Sequence, residues 1–261
     1  MSWLHVARAD TPLILAFPHG GTYLPESDFR SDWIARRDTD WHIAALYDGL
    51  VEATTIRTDI SRSIIDVNRD PSGASLYPGQ ATTELCPTTT FDGDPLYSDG
   101  AGPDIATRRE RWFDPYHAAL AAEVARLRKL YDRVVVYDCH SIRSRIPRLF
   151  DGELPELNIG TNGGATCDPA LTEAVAKAAS ARSHVVDGRF RGGWTTRHYG
   201  RPLEGIHAIQ LEIAIRAYLD EPPEITPENW PPRYDPDRAA PLRRDLARIL
   251  NAALNFAKGP T

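Results

Sequence analysis

Three polar clusters follow apolar runs in this sequence, and each carries groups able to bind a metal or move a proton. The first is Pro18, His19, Gly20 and Gly21, directly after residues 12–17 (PLILAF). A histidine beside two glycines, which permit close backbone approach, fits a ligand better than a core residue. The second is Asp138, Cys139, His140 and Ser141, after residues 133–137 (RVVVY). A spacing of two places Asp138 and His140 on one side of a strand, where the carboxylate can orient the imidazole. Cys139 then points to the opposite side, which argues against a Cys–His nucleophile. The third is Glu212 in IQLEIAI. A carboxylate inside an apolar strand is costly unless paired or functional, and burial raises its pKa as a general acid or base requires.

Asp38, Asp40 and His42 form an alternating set in DTDWH. Helix-start electrostatics account for one of these carboxylates but not for the whole set. A catalytic zinc site has three protein ligands and one open position. His19, His140 and Asp40 make such a set, with Asp38 and His42 as alternatives to Asp40. Asn68 and Arg69, where an apolar run gives way to a Pro-Gly loop, can grip a substrate carboxylate through the guanidinium fork. The structural alternative is an ion pair of Arg69 with Asp66 or Asp70. Residues 192–202 (GGWTTRHYGRP) gather Arg197, His198, Tyr199 and Arg201 between glycines, as a lid or substrate-contacting loop would. No G-x-S-x-G elbow, P-loop or dinucleotide fingerprint is present.

The elements that must position these groups follow from periodicity. Residues 12–17, 63–67 (SIIDV), 133–137, 158–160 and 206–213 read as strands. Residues 40–53, 107–132, 168–180 and 236–257 read as helices, with Asp168 and Pro169 opening the third and Pro241 interrupting the start of the last. Residues 70–106, rich in Pro, Gly, Thr and Asp, form a loop-rich insertion too long for a plain connector. Strands alternating with helices predict an α/β sheet covered on both faces, with ligands beyond the carboxyl ends of the strands, where the three clusters lie.

The 261 residues fit a single domain, 1–261, with 42% hydrophobic and 25% charged residues and a net charge of −6. That balance, without a basic face, excludes the usual nucleic-acid binder. No apolar run reaches membrane-spanning length, and the first residues lack the pattern of a secretory signal. Cys86, Cys139 and Cys167, widely spaced and odd in number, form neither a disulfide framework nor a cysteine zinc site, consistent with a reducing cytoplasm.

The segments FPHGGTYLP, TDWH, SRSIIDVNRDPSG, YDCHSI, GGWTTRHYG and IQLEIAIRAYL together resemble the N-formylglutamate amidohydrolase family, over about positions 12 to 219. The family is itself similar to zinc carboxypeptidases. The resemblance implies a three-layer α/β/α sandwich around a mixed β-sheet, of the phosphorylase/hydrolase-like kind. It also implies a site in which His19 and His140 are zinc ligands, Glu212 is the catalytic carboxylate and Asn68 with Arg69 binds a carboxylate. Carboxypeptidases use H-x-x-E, but Thr22 stands three residues after His19, so the remaining ligand must come from elsewhere, with Asp40 the natural candidate. The implied reaction is hydrolysis of N-formyl-L-glutamate to formate and L-glutamate, the last step of a histidine-degradation route. Arg62 would help stabilise the oxyanion, and Arg197 or Arg201 would take the second substrate carboxylate. The ion would be Zn²⁺ or another of Co²⁺, Mn²⁺ and Fe²⁺. The partner is a small anionic N-acyl amino acid. Another acidic N-acyl amino acid or a small peptide, and a non-catalytic ligand-binding relative, are the competing readings.

Overall fold

The computed structural model describes residues 2–25 and 28–259. In chain order the elements begin with β1 (Leu4–Ala7), β2 (Leu13–Phe17), α1 (Asp32–Arg36), α2 (Ile43–Tyr47) and β3 (Thr54–Thr58). After a long irregular stretch, α3 (Ile105–Arg108) passes through a π turn (Arg109–Phe113) into α4 (Asp114–Arg128). Then follow β4 (Val134–Ile142), β5 (Leu157–Gly160), α5 (Pro169–Ala179), β6 (His184–Val186), α6 (Trp194–Tyr199), β7 (Ile206–Ala214) and α7 (Pro236–Lys258).

The seven strands form one mixed sheet in the order β1-β3-β2-β4-β7-β5-β6. Neighbours from β3 through β2 and β4 to β7 are parallel, whereas β1 and β5 run antiparallel to β3 and β7. Alternation along β4 and β7 divides the core. Val135, Tyr137, Cys139, Ile209, Leu211 and Ile213 pack with α5 and α7 on one face. Val134, Val136, Ile206 and Ala208 pack with Tyr116, Leu120, Val124 and Leu127 of α4 on the other. Helices thus cover both faces, as an α/β sheet buried on two sides requires.

The outer helices form for readable reasons. In α5 the Asp168 side chain accepts a hydrogen bond from Ala170 N at 2.8 Å and Pro169 occupies the first position. In α7 the Asp235 carboxylate caps Asp237 N and Arg238 N. Leu242, Leu246, Ile249, Leu250 and Ala253 then recur at helical spacing on the buried face. Each large side chain buried there contributes about 1.5–3 kcal/mol. Pro241 does not interrupt this helix, which runs unbroken from Pro236. The proline lies near the start, and the apolar stripe that follows it outweighs one lost backbone bond.

Three local expectations are corrected. Residues 63–67 turn instead of pairing as a strand. Ile64 N bonds Ser61 O at 3.0 Å, Asp66 N bonds Leu85 O at 2.7 Å, and Arg69 N bonds Asp66 O at 3.1 Å. Ile64, Ile65 and Val67 are buried without a sheet partner, so their apolar run reflects burial alone. The helix expected over 40–53 shrinks to Ile43–Tyr47, because Asp40 and Trp41 occupy a turn and His42 adopts a left-handed φ of 61°. The threonine-rich TTIRT, alternating buried and more exposed positions, forms β3 instead. Residues 192–202 are not an open loop but enclose α6, whose Thr195, Thr196 and Tyr199 are buried.

The turn after β2 lies against the segment after β3. Tyr23 N bonds Asp59 O at 2.7 Å, and Ser61 N bonds Tyr23 O at 3.0 Å. A Cβ on Gly21 would stand 2.4 Å from both Asp59 C and Ile60 O, so only glycine fits. Gly21→Ala is expected to destabilise the protein by about 1–3 kcal/mol through that backbone displacement. Gly102→Ala, with no neighbour within 4 Å of its Cβ, serves as the neutral control. Urea unfolding midpoints of the two variants check this, and equal midpoints would contradict it.

Candidate active site

The sheet register assembles the site. His140 lies opposite Glu212 and Asp138 opposite Gln210 on the parallel pair β4 and β7. All four side chains therefore leave the same face, from strands about 4.8 Å apart. His19 follows the end of β2 by two residues, and its carbonyl accepts Asp40 N at 3.0 Å. That bond fixes the turn that carries Asp40 inward.

The Asp40 carboxylate lies between the two imidazoles. Its Oδ2 is 3.2 Å from His140 Nδ1 and 3.8 Å from His19 Nδ1, and it accepts Ser141 N at 3.1 Å. The far nitrogen of each ring meets another carboxylate: His19 Nε2 is 2.6 Å from Asp66 Oδ1, and His140 Nε2 is 3.0 Å from Asp138 Oδ2. Each ring is thus oriented from behind, as metal-ligating histidines are. The two other candidates at this position point elsewhere. Asp38 accepts Phe91 N at 2.6 Å and faces Arg143, and His42 Nε2 meets Pro232 O at 3.1 Å.

Burial dominates the electrostatics. It lowers His19 to about 4, helped by Arg62 and opposed by Asp66 and Asp40, so its imidazole is neutral near pH 7. Its Nδ1 is buried and lacks a hydrogen-bond partner. Burial alone would raise Asp66, but His19, Arg69 and Arg62 outweigh it and hold the carboxyl well below the usual range. Burial also opposes charge on His140, yet Asp138, Asp40 and Glu212 keep it well above an ordinary imidazole. The buried Arg62 guanidinium bridges two of these carboxylates, with Nη2 2.7 Å from Asp66 and Nη1 3.4 Å from Asp40, while Asp138 instead meets Asn68 and His140.

This donor set fits a divalent cation. Ligand atoms of His19, Asp40 and His140 all lie within 4.8 Å of one another. Two imidazoles and a carboxylate leave a position open, as in catalytic zinc sites. The partnerless Nδ1 of His19 and the excess of buried carboxylate both call for added positive charge.

A narrow cleft opens onto this group, lined by His19, His140 and Glu212 together with Arg62, Arg69 and Arg189. Burial pushes the Glu212 carboxyl up to about 7, with His140 opposing. Gln210 donates to Glu212 Oε2 at 3.3 Å, and Gln210 Oε1 accepts Gly193 N at 2.8 Å. Glu212 is therefore aimed by a side chain that is itself anchored. Arg69 is held by Thr83 O and Thr83 Oγ1, and its Nε stands 3.8 Å from Asp66.

Several residues expected to meet substrate have other partners. Asn68 borders the cleft, but its Nδ2 donates to Asp138 at 2.9 Å and its Oδ1 accepts Thr195 N at 2.7 Å. The Asn68 amide also lies where a Cβ on Gly193 would stand, at 2.4 Å, which explains the glycine. Tyr199 is buried against His117, with its hydroxyl bonded to His117 O at 3.0 Å. Arg197 donates to Gly192 O and covers one face of Tyr77 outside the cleft lining. Arg201 is exposed and pairs with Glu204 at 3.1 Å. The start of α6 is docked through its backbone, with Trp194 N on Asn68 O and Thr195 N on Asn68 Oδ1. Asp66, Gln210 and Arg189 were missed as site residues. Asp66 in SIIDVN carries the same signal as Glu212, a carboxylate within an apolar run, but such a run equally fits an ordinary strand.

An α/β fold with a buried His-Asp-His group at its strand ends is thus defined, and comparison places it. Residues 11–219 match the N-formylglutamate amidohydrolase family, and the chain belongs to that family. It is 42% identical over 267 residues to the N-formylglutamate deformylase of Pseudomonas aeruginosa, covering 98% of this chain and 97% of the relative. It is also 42% identical over 256 residues to the N-formylglutamate deformylase of Pseudomonas putida, covering 93% and 92%. The crystal structure of N-formylglutamate amidohydrolase from Ralstonia eutropha JMP134 shares the fold, with a TM-score of 0.80, 22% identity, and coverage of 98% of this chain and 99% of that one. Among the described residues no helix is long and apolar enough to cross a membrane.

Removing one member of a buried ionic network strands the others. Asp66→Ala is expected to cost about 3–5 kcal/mol, because Arg62 and His19 lose a partner. Glu204→Ala, which breaks the exposed pair with Arg201, is expected to cost about 1 kcal/mol or less. Chemical denaturation of both variants measures the difference, and similar losses would remove Asp66 from the centre of the network.

Proposed function

We propose that this chain is a metal-dependent amidohydrolase that converts N-formyl-L-glutamate to formate and L-glutamate. The observation that carries this reading is the convergence of His19, Asp40 and His140 beside a buried Glu212, at the floor of a cleft with basic walls. The names of the 42% identical relatives support the substrate. His19, Asp40 and His140 would hold the ion through oriented imidazoles and one carboxylate. Zn²⁺, Co²⁺, Mn²⁺ and Fe²⁺ all accept such nitrogen and oxygen donors. When bound, the ion supplies Lewis acidity to the formyl oxygen and to the attacking water.

The chain's own residues do the rest. Glu212, near neutrality in its pKa, takes a proton from the attacking water and returns it to the leaving amine. Gln210 keeps its carboxylate aimed. Asp66 and Asp138 hold the imidazoles in orientation. Arg62 lines the cleft and adds positive charge where the oxyanion develops. Arg69, steadied by Thr83, is our assignment for one substrate carboxylate, while Asn68 orients His140 and Asp138 rather than gripping substrate. The reaction would close a route of histidine degradation in the cytoplasm.

Formate release from N-formyl-L-glutamate, with N-acetyl-L-glutamate and N-formyl-L-aspartate alongside, tests the reading. Release should favour formylglutamate, vanish on chelation and return with metal. Absence of release from metal-loaded protein would overturn it. Glu212→Gln should keep its bound metal but lose about 10²–10⁴-fold in kcat, so near-normal turnover would remove Glu212 from proton transfer. Arg69→Ala should raise KM while the unfolding midpoint stays close to that of the parent. Unaltered kinetics with a large loss of stability would make Arg69 a structural strut.

A further inference from the structure

Arg189 occupies the segment that leaves β6, and no metal-binding or proton-transfer role accounts for it. Its guanidinium lies between two aromatic rings, 5.4 Å from the Tyr77 centroid and 5.3 Å from that of Phe190. Its Nε donates to Leu149 O at 2.7 Å and its Nη2 to Ala81 O at 2.9 Å. These four contacts fix the plane of the fork. All of them come from neutral groups, and Arg189 makes no ion pair among the described residues. It nevertheless lines the same cleft as Glu212.

The other cleft arginines differ from it. Arg62 is committed to Asp66 and Asp40, and Arg69 has Asp66 at 3.8 Å. Burial, helped by the like charge of Arg69, outweighs the pull of Tyr77 and Glu212 and makes the Arg189 charge harder to keep. A half-buried cation that makes no ion pair among the described residues, and shares a cleft with a second cation, carries a cost that an arriving carboxylate reduces. Fixing the fork in advance lowers the entropy lost when that carboxylate binds.

We propose that Arg189 is a specificity-determining residue that binds one carboxylate of the substrate, so that the Arg69 and Arg189 pair selects a dicarboxylic N-acyl amino acid. This rests on the hydrolase reading above. It places the second carboxylate contact on Arg189 instead of Arg197 or Arg201, which lie outside the cleft lining.

The test crosses variants with substrates. Parent protein, Arg189→Gln and Arg189→Lys are assayed on N-formyl-L-glutamate, on N-formyl-L-glutamine and on N-formyl-L-glutamate α-amide. Each amide lacks one carboxylate. Arg189→Gln should lower kcat/KM on formylglutamate by about 10- to 100-fold, chiefly through KM, the scale of a hydrogen bond to a charged group. On the amide lacking the carboxylate that Arg189 holds, the same substitution should change kcat/KM little, and Arg189→Lys should recover part of the loss on formylglutamate. Equal losses on all three substrates would make Arg189 a strut between loops and overturn the proposal, as would no loss on formylglutamate. If the metal-loaded parent protein releases no formate, the deformylase reading falls and calorimetry with glutarate decides Arg189 alone. Binding weakened by about tenfold or more in Arg189→Gln would uphold the carboxylate role, and affinities that do not differ would overturn it.

Discussion

Burying carboxylates beside two imidazoles is the constraint on which this structure turns. Asp40, Asp66 and Asp138 are each 1% exposed or less. Such groups persist only when donors or positive charge reach them. The surrounding chain supplies most of these: Arg62 bridges Asp66 and Asp40, Asn68 reaches Asp138 Oδ2, and the backbone of Ser141 and Asn68 donates inward, while Asp138 Oδ1 is left without a hydrogen-bond partner among the described residues. The segment 61–69 turns because its side chains and amides are needed there. The cost of ionic burial thus dictates local backbone that apolar content alone would have made a strand.

Sheet register converts that network into a site. Residues two apart on β4 and β7 share a face, and parallel pairing brings His140 level with Glu212. A one-residue slip would send all four polar side chains into the apolar layer against α5 and α7. Ile209, Leu211 and Ile213, together with Tyr137 and Cys139, oppose that slip by filling this layer. The same alternation that builds the core therefore fixes the distance between the proposed ligand and the proposed proton carrier.

The irregular stretch between β3 and α3 completes the cleft instead of lying apart from it. Thr83 holds Arg69, Leu85 O receives Asp66 N, Phe91 lies 4.8 Å beneath the Arg62 guanidinium, and Tyr77 covers Arg189. Loops with buried anchors of this kind can shape substrate preference while the sheet holds the reacting groups. In the reading proposed here, chemistry comes from strand ends and specificity from loops.

His19, His140 and Glu212 were legible in the sequence because each interrupts an apolar run at or near a strand end, where a polar residue needs a reason. The α/β class, α5 with its Asp168 cap and the stripe of α7 were legible for the same kind of reason, since local periodicity reports which face is buried. Asp40 could be proposed but not separated from Asp38 and His42, because one turn decides which of three nearby groups points inward. Asn68 and Arg197 have the right chemistry by type, and nothing in the sequence around Arg189 sets it apart. What separates them is partnership across long stretches of chain: Asn68 is used by Asp138 and Thr195, Arg197 is turned onto Tyr77, and Arg189 faces the cleft without an ion pair among the described residues. The sequence by itself determined which residue types lay at strand ends and which faces were apolar, because those follow from neighbours along the chain. Only the tertiary structure decided which charges were already neutralised, because the partners that neutralise them are brought together from distant segments.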